Sequence, residues 1–501
     1  MRYNISKDIN KIKVFLYLLL FSLVATTVYM NRIDVFSPKH ISIVKWILTW
    51  GKSFPDYSTS STPLFYIFGA QLMVTTNINI YRLMFYPFFS LFYMLIIYLI
   101  LLAISRNKTV SLLITLFIVF TNTVGYTLKL WPHALGQLIF LTILYLLLKS
   151  KGANHKYFVL LITLIVSLSG ISYSYAYMVT IISIVFSLHE LFTKRNYIFW
   201  TVVSIISIIA EFSLIYNIYD VILSSVIVSI EDFRFWGFSK IIHYYLVSPS
   251  KQSFCSACNE IQYSSNRILT MVLLIKYITI ATFLIVLILM NIKENMNPLS
   301  TQDKRLKVLG ALWISTISWM IIKLNMGQLA IPAVVFPTIL TIMYLSSTIK
   351  GHMKFLSLFA LILLIISISQ QVVISIDKTV NNFPHQDISY YHPEAKFISI
   401  KFRGEQVISD EFTRNLLVIY YDPHKFSRPS NMIYSIRIYS CDDICNAPYK
   451  SSKVIIINCD KNIKYSSLLR WNLIKSPCVL QGYLTIWKNK LYTTPFISAF
   501  K

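Results

Sequence analysis

The chain has 501 residues, of which 55% are hydrophobic and only 13% charged, and its mean hydropathy is +0.60. That composition excludes an ordinary soluble domain and fits a polytopic membrane protein. A net charge of +25 would point to nucleic acid in a soluble chain, but here much of it sits in short loops between apolar runs, where Lys and Arg set topology and meet anionic lipid, so no nucleic-acid partner is expected.

The opening MRYNISKDINKIK is basic and runs into the first apolar stretch. It carries no small-residue cleavage site, so it reads as an uncleaved first span and not as a removed signal peptide. Apolar runs of about 17–25 residues predict spanning helices, because lipid offers backbone groups no other partner. Eleven such segments follow in order: 12–30, 82–104, 109–127, 134–149, 157–172, 174–192, 198–217, 268–291, 306–323, 328–348 and 354–374.

Within the loop at 31–81, the stretch 31–66 is the most polar region near the start. It places Asp34 just beyond the first span. A short helix-like segment comes next, in which Ile41, Val44, Trp46, Ile47 and Trp50 mix with Lys45 and Lys52. Such a segment can lie at headgroup level and anchor the loop. A Gly51-Lys52 break, a second carboxylate at Asp56, a Ser/Thr run and then Pro63, Leu64, Phe65 and Tyr66 complete it.

Alternate loops carry the cations. The N-terminus, Arg106-Asn107-Lys108, 149–156, Lys194-Arg195, 292–307 and 350–354 form one set, which the positive-inside rule makes cytoplasmic. The other set then faces out: 31–81, 128–133, the link near 173, 218–267, 324–327 and the tail after 374. All six cysteines, Cys255, Cys258, Cys441, Cys445, Cys459 and Cys478, fall in that outer set, as expected of disulfides in an oxidising compartment. The Cys255-Ser-Ala-Cys258 spacing is also that of half a zinc site, but no second Cys pair or His pair accompanies it, so a disulfide is preferred.

Residues 1–374 thus read as a transmembrane domain and 375–501 as a separate extracytoplasmic domain. In the tail, strand-length apolar runs at 406–408, 453–457 and 483–487 alternate with helix-like stretches at 393–402 and 411–421, which suggests a small α/β fold. It holds no Gly-rich phosphate loop, nucleophile elbow or metal-spaced His cluster, and reads as a lid or scaffold.

Asp34 is the first candidate for chemistry. A loop carboxylate is usually just solvated, but acidic residues are scarce in the membrane half and this one stands where the first outer loop leaves the bilayer. Asp56 is a second candidate acid, suited to a divalent metal such as Mg or Mn, to a sugar hydroxyl, or to neither. Two charges lie within apparent spans, Glu211 and Lys276. Intramembrane charges are costly and are usually paired or functional. A Glu211–Lys276 pair is one reading; the other turns Lys276 to a cavity to bind a lipid phosphate. Outer cations near span ends, Arg82, Lys129, Arg267 and Lys323, together with His40, His133 and Lys45 on the outer loops, are candidates to line a phosphate or pyrophosphate site.

With these residues the chain resembles the GT-C glycosyltransferases, polytopic enzymes that use polyprenyl-phosphate sugars, and within them the protein O-mannosyltransferase and aminoarabinose transferase group. The likeness rests on Asp34 after span one, the helix ending in Trp50-Gly51, Pro63 to Tyr66, Arg82 opening span two, and Lys323 with Ile331-Pro332 and Phe336-Pro337 late in the chain. The chain departs where the family often has Asp-Glu, here Asp34-Val35, and where it often has a basic or aromatic residue before two prolines, here Ser61-Thr62-Pro63. The resemblance implies inverting transfer from a polyprenyl-phosphate donor to a glycan, lipid or protein acceptor at the outer face, with Asp34 as base. The rival class is non-enzymatic: a lipid or polysaccharide transporter, or a scaffold that only binds glycolipid. A transporter more often shows paired repeats and broken helices, and neither is evident.

Overall fold

A computed structural model describes residues 5–30, 37–50, 63–78, 86–121, 128–149, 155–193, 197–214, 267–293, 304–322, 330–348, 353–376, 396–397, 400, 407–409, 433–434, 454–458, 490–493 and 497–500. Among them are thirteen helices: α1 (Ile5–Tyr29), α2 (Ser37–Trp50), α3 (Pro63–Thr76), α4 (Ser90–Ser105), α5 (Lys108–Phe120), α6 (Pro132–Lys149), α7 (His155–Ile171), α8 (Tyr173–Phe192), α9 (Tyr197–Leu214), α10 (Arg267–Lys293), α11 (Lys304–Ile322), α12 (Ala330–Thr348) and α13 (Met353–Ile376). A helix stands at each of the eleven segments read as spans. Four stretches among the described residues, Ile12–Tyr29, Pro132–Lys149, Tyr173–Phe192 and Lys354–Val373, are long and apolar enough to cross a membrane.

The chain divides into two compact units. One comprises Met1–Met30, Pro55–Phe65 and Tyr86–Asp377; the other comprises Asn31–Phe54, Tyr66–Phe85 and Lys378–Lys501.

In the first unit the solvent logic of a water-soluble protein is inverted. On α1, Leu20 and Leu23 are each 55% exposed while Ser22 and Thr26 are buried. Ser22 and Thr26 both reach Ser90 Oγ on α4, at 2.7 and 3.2 Å. Large apolar side chains likewise stand exposed on α9, α10 and α13, for example Phe212, Ile278 and Leu361. Apolar residues outward and small hydroxyls inward are what lipid as solvent selects, since lipid gives helices no reason to hide leucine and a strong reason to pair polar groups. This is an α-helical membrane protein.

Local sequence explains the helix ends. Arg106 adopts φ 57 and caps α4 through its N–H to Leu102 O, and Asn107 then starts α5 by accepting from Val110 N at 3.0 Å. The second predicted span was expected from 82, but α4 begins at Ser90. Pro87 sits in the turn that precedes it, and Ser90 N donates to Pro87 O at 3.2 Å, which closes that turn. Inside α12, Pro337 interrupts the hydrogen-bond ladder; Thr341 Oγ1 donates to Pro337 O and itself accepts from Trp313 Nε1 of α11 at 2.9 Å.

Contacts sort the helix ends into two sets. In one, Arg305 donates to Ile104 O at 3.1 Å and covers the Tyr344 ring, and Lys307 meets Glu190 at 3.5 Å. In the other, Tyr29 donates to Val119 O at 3.1 Å, and Gln371 Nε2 donates to Phe120 O at 2.7 Å and to Tyr29 Oη at 3.1 Å. These are the two sets that the alternation of loop charge separates.

In the second unit α2 and α3 pack together. Ile41, Ile43 and Val44 of α2 are buried, as are Tyr66 and Ala70 of α3. The sequence reading gave the first loop one short helix; α3 is a further one, apolar but only 14 residues long. The tail residues include five strands: β1 (Val407–Ser409), β2 (Ile433–Tyr434), β3 (Val454–Asn458), β4 (Lys490–Thr493) and β5 (Ile497–Phe500), in the order β2-β1-β3-β5-β4. β1 pairs parallel with β2 and β3, whereas β5 runs antiparallel to β3 and β4. The near-continuous apolar run of β3, Val-Ile-Ile-Ile-Asn, suits its central place. The strand expected at 483–487 and the helix expected at 411–421 lie outside the described residues.

Candidate functional site

In the first unit a basic and aromatic cluster forms where the turn 128–131 meets the α7–α8 break. Pro132 opens α6, a position where its missing N–H costs nothing. The turn before it is tied to the start of α4 by Phe89 N donating to Leu128 O at 2.8 Å. Leu128, Leu130 and Trp131 are buried, and Lys129 between them is only 3% exposed. A lysine at that depth in an apolar setting is costly unless its ammonium meets polar groups.

One turn further on, His133 Nδ1 stands 3.4 Å from Ser172 Oγ, a long hydrogen bond, and its ring meets Tyr173 edge-on at 6.5 Å. Ser172 is the extended residue, φ −155, between α7 and α8, and it leaves the α8 N-terminus without a side-chain cap. Gly136 makes the approach possible. A Cβ there would collide with Ser172 Cβ and lie 3.2 Å from the Tyr175 ring.

From this break a stripe runs along α8 at helical spacing, Tyr173, Tyr177 and Thr180. Trp319 of α11 packs on both tyrosines, at 6.1 and 5.8 Å between ring centroids. Thr180 then donates to Glu211 Oε1 on α9, and Thr180 Oγ1 lies 2.5 Å from Ser207 Oγ. Because the one Thr180 proton goes to the carboxylate, Ser207 donates to Thr180, so the three form a directed relay.

The Glu211–Lys276 pair, one of the two readings of these charges, does not form. The described partner of Glu211 is Thr180. Lys276, also buried, holds its ammonium 4.7 Å from the centre of the Tyr277 ring. The packing explains this: α9 lies against α7 and α8, whereas α10 lies against α12 and α13.

In the second unit, His40 Nδ1 and Tyr66 Oη are 2.8 Å apart, with the rings stacked at 5.8 Å. Gly69 of α3 allows the approach, since a Cβ there would be 3.1 Å from Val44 Cγ2. Lys45 is half-buried on the same helix as His40. Asp34, Asp56, Arg82, Lys323 and all six cysteines lie outside the described residues.

The structure therefore joins His133 to residues the sequence reading did not single out: Ser172, Tyr173, Tyr177, Thr180, Ser207 and Trp319. One signal for part of this was present, the alternation Ser172-Tyr173-Ser174-Tyr175-Ala176-Tyr177 at the link between two spans. Among the described residues, no group of three or more His, Cys, Asp and Glu stands together to hold a metal ion. Comparison with known protein families finds no match, and comparison with curated proteins finds none.

Proposed function

We propose that the protein is a membrane glycosyltransferase that moves a sugar from a polyprenyl-phosphate donor to a glycan, lipid or protein acceptor, with inversion and with Asp34 as base. The observation that carries this reading is buried Lys129, four residues before His133, whose ring meets Ser172 and Tyr173 at the α7–α8 break. On this reading eleven helices cross the bilayer, the N-terminus is cytoplasmic, and the sheet-bearing tail is an α/β domain on the outer side.

Asp34 takes the proton of an acceptor hydroxyl. The acceptor oxygen attacks the anomeric carbon from the face opposite the phosphate, and the bond from that carbon to the phosphate oxygen breaks. The phosphate leaves with the electron pair, already anionic, and needs neighbouring cations more than a general acid. Lys129 and Lys276 are described cations suited to that work; Arg82 and Lys323 are further candidates. His40, hydrogen-bonded to Tyr66, is a polar candidate on the first loop itself.

The test is transfer from a polyprenyl-phosphate sugar by purified Asp34→Asn protein. Loss of a general base lowers the rate by about 10²–10⁴-fold while donor binding survives. Near-normal turnover removes Asp34 from the mechanism. In membranes without the gene, accumulation of a lipid-phosphate sugar supports a transferase, whereas an imbalance of lipid between leaflets supports a transporter.

A further inference from the structure

Glu211 is the buried charge that the proposed transfer does not use. It is 6% exposed on a membrane helix, and its described partner is the Thr180 hydroxyl, not a cation. A carboxylate in such a place is expensive and is retained for a reason. Simple helix packing does not need it, since Ser207 and Thr180 could pair with each other and leave an apolar residue at 211. The relay Ser207 to Thr180 to Glu211 spends one donor on Oε1 and fixes the carboxylate in one orientation. Tyr177 is an electrostatic neighbour of Glu211 and is only half-buried, and Tyr173, half-buried one turn above it, continues the stripe to His133. The seven steps from Tyr173 to Thr180 rise about 10 Å along the helix, the length of one to two sugar rings. An oriented carboxylate beside partly open aromatic rings, reached from a basic turn, is a polar group set into an apolar lining of the kind that fixes a small polyhydroxyl ligand.

We propose that Glu211, oriented by Thr180 and Ser207 and neighboured by Tyr177, on which Trp319 packs, is a sugar-binding subsite that accepts hydrogen bonds from ring hydroxyls of the donor. The inference rests on the glycosyltransferase reading and adds to it the group that distinguishes a sugar-bearing lipid from the bare phosphate. Glu211 holds the sugar and takes no part in bond making.

The experiment measures binding of two probes to the full-length protein in nanodiscs, undecaprenyl phosphate and undecaprenyl-phosphoryl glucose. The wild type is expected to bind the glucose-bearing lipid more tightly. Glu211→Gln is expected to bind undecaprenyl phosphate as before and to lose about tenfold for the glucose-bearing lipid, the worth of one hydrogen bond to a charged group. Ser207→Ala leaves the carboxylate and Thr180 in place, and should show a smaller loss in the same direction; it carries the test if Glu211→Gln does not fold. Thr180→Ser, which keeps the relay hydroxyl, should restore wild-type discrimination, an outcome that a packing role at 180 does not give. Equal loss for both probes, or discrimination unchanged in Glu211→Gln and Ser207→Ala, overturns the subsite. Failure of the wild type to bind either lipid overturns the transferase reading and the subsite with it, whereas binding of both without discrimination overturns the subsite alone.

Discussion

Gln371→Met tests how the exit of the first span is held. The last carbonyls of α5 lie at the end of its i+4 ladder; the Thr121 N–H serves Phe117 O and Val119 O, and inside a membrane water cannot complete the set. Side chains contribute as well. Gln371 Nε2 donates to Phe120 O and Tyr29 Oη, Tyr29 donates to Val119 O, and Gln370 Nε2 donates to Thr121 O at 3.2 Å. All three side chains are buried. Hydrogen bonds between membrane helices are each worth about 0.6 kcal/mol, with a maximum near 1.7. Gln371→Met keeps the length and removes two, so it should cost about 1.2 kcal/mol, and up to about 3 if the Phe120 carbonyl finds no substitute donor. Tyr29→Phe should cost a similar amount. The bond between the two side chains is lost in either single variant, so the double variant should lose about 0.6 kcal/mol less than additivity requires. Reversible unfolding of the four proteins in bicelles by denaturing detergent measures the cycle. A coupling of zero, or a neutral Gln371→Met, would show that the network does not bear on stability and refute the capping argument.

Gly136→Ala should lower the unfolding temperature, by overpacking worth about 1–3 kcal/mol, because its methyl meets Ser172 at the α7–α8 break. Gly310→Ala in the middle of α11 meets nothing within 4 Å and should stabilise by about 0.5–1 kcal/mol; the same thermal scan compares the two. Burial pushes the Lys304 ammonium at the start of α11 down to about 8, against the opposing pull of Glu190. The unfolded chain then binds the extra proton between that value and about 10.4, so stability should rise with pH across this window. Lys304→Met should abolish that part of the rise, which the difference between wild-type and variant unfolding curves from pH 7 to 10.5 checks. Lys129→Met should weaken undecaprenyl phosphate binding about tenfold, the worth of a charged hydrogen bond. Unchanged binding would remove Lys129 from the phosphate site.

Much of the architecture was legible along the chain. Lipid forces backbone groups to pair within each segment, so apolar length alone marked eleven segments at each of which a helix stands, and charge alternation separated the two sets of ends that Arg305 with Ile104 and Tyr29 with Gln371 join. Strands β1 and β3 announced themselves as short apolar runs. The boundary of α4 was less legible, because Pro87 breaks an apolar run without changing its hydropathy. The α3 helix was hidden for a related reason, being apolar but too short to read as a span.

The candidate site was legible only in part. Residue type and the outer side expected from loop charge were enough to choose Lys129, His133 and His40 as candidates, since few cations and imidazoles fall at the expected outer span ends. Their partners are set by which helices become neighbours, and that is a property of packing. Glu211 on α9 and Lys276 on α10 were open to pairing, yet α9 packs on α8 and α10 packs on α12 and α13, so the carboxylate meets Thr180, while the ammonium lies against Tyr277 of its own helix. Periodicity along a chain specifies which face of a helix is buried, but the identity of the facing helix depends on close fit at points such as Gly136 against Ser172.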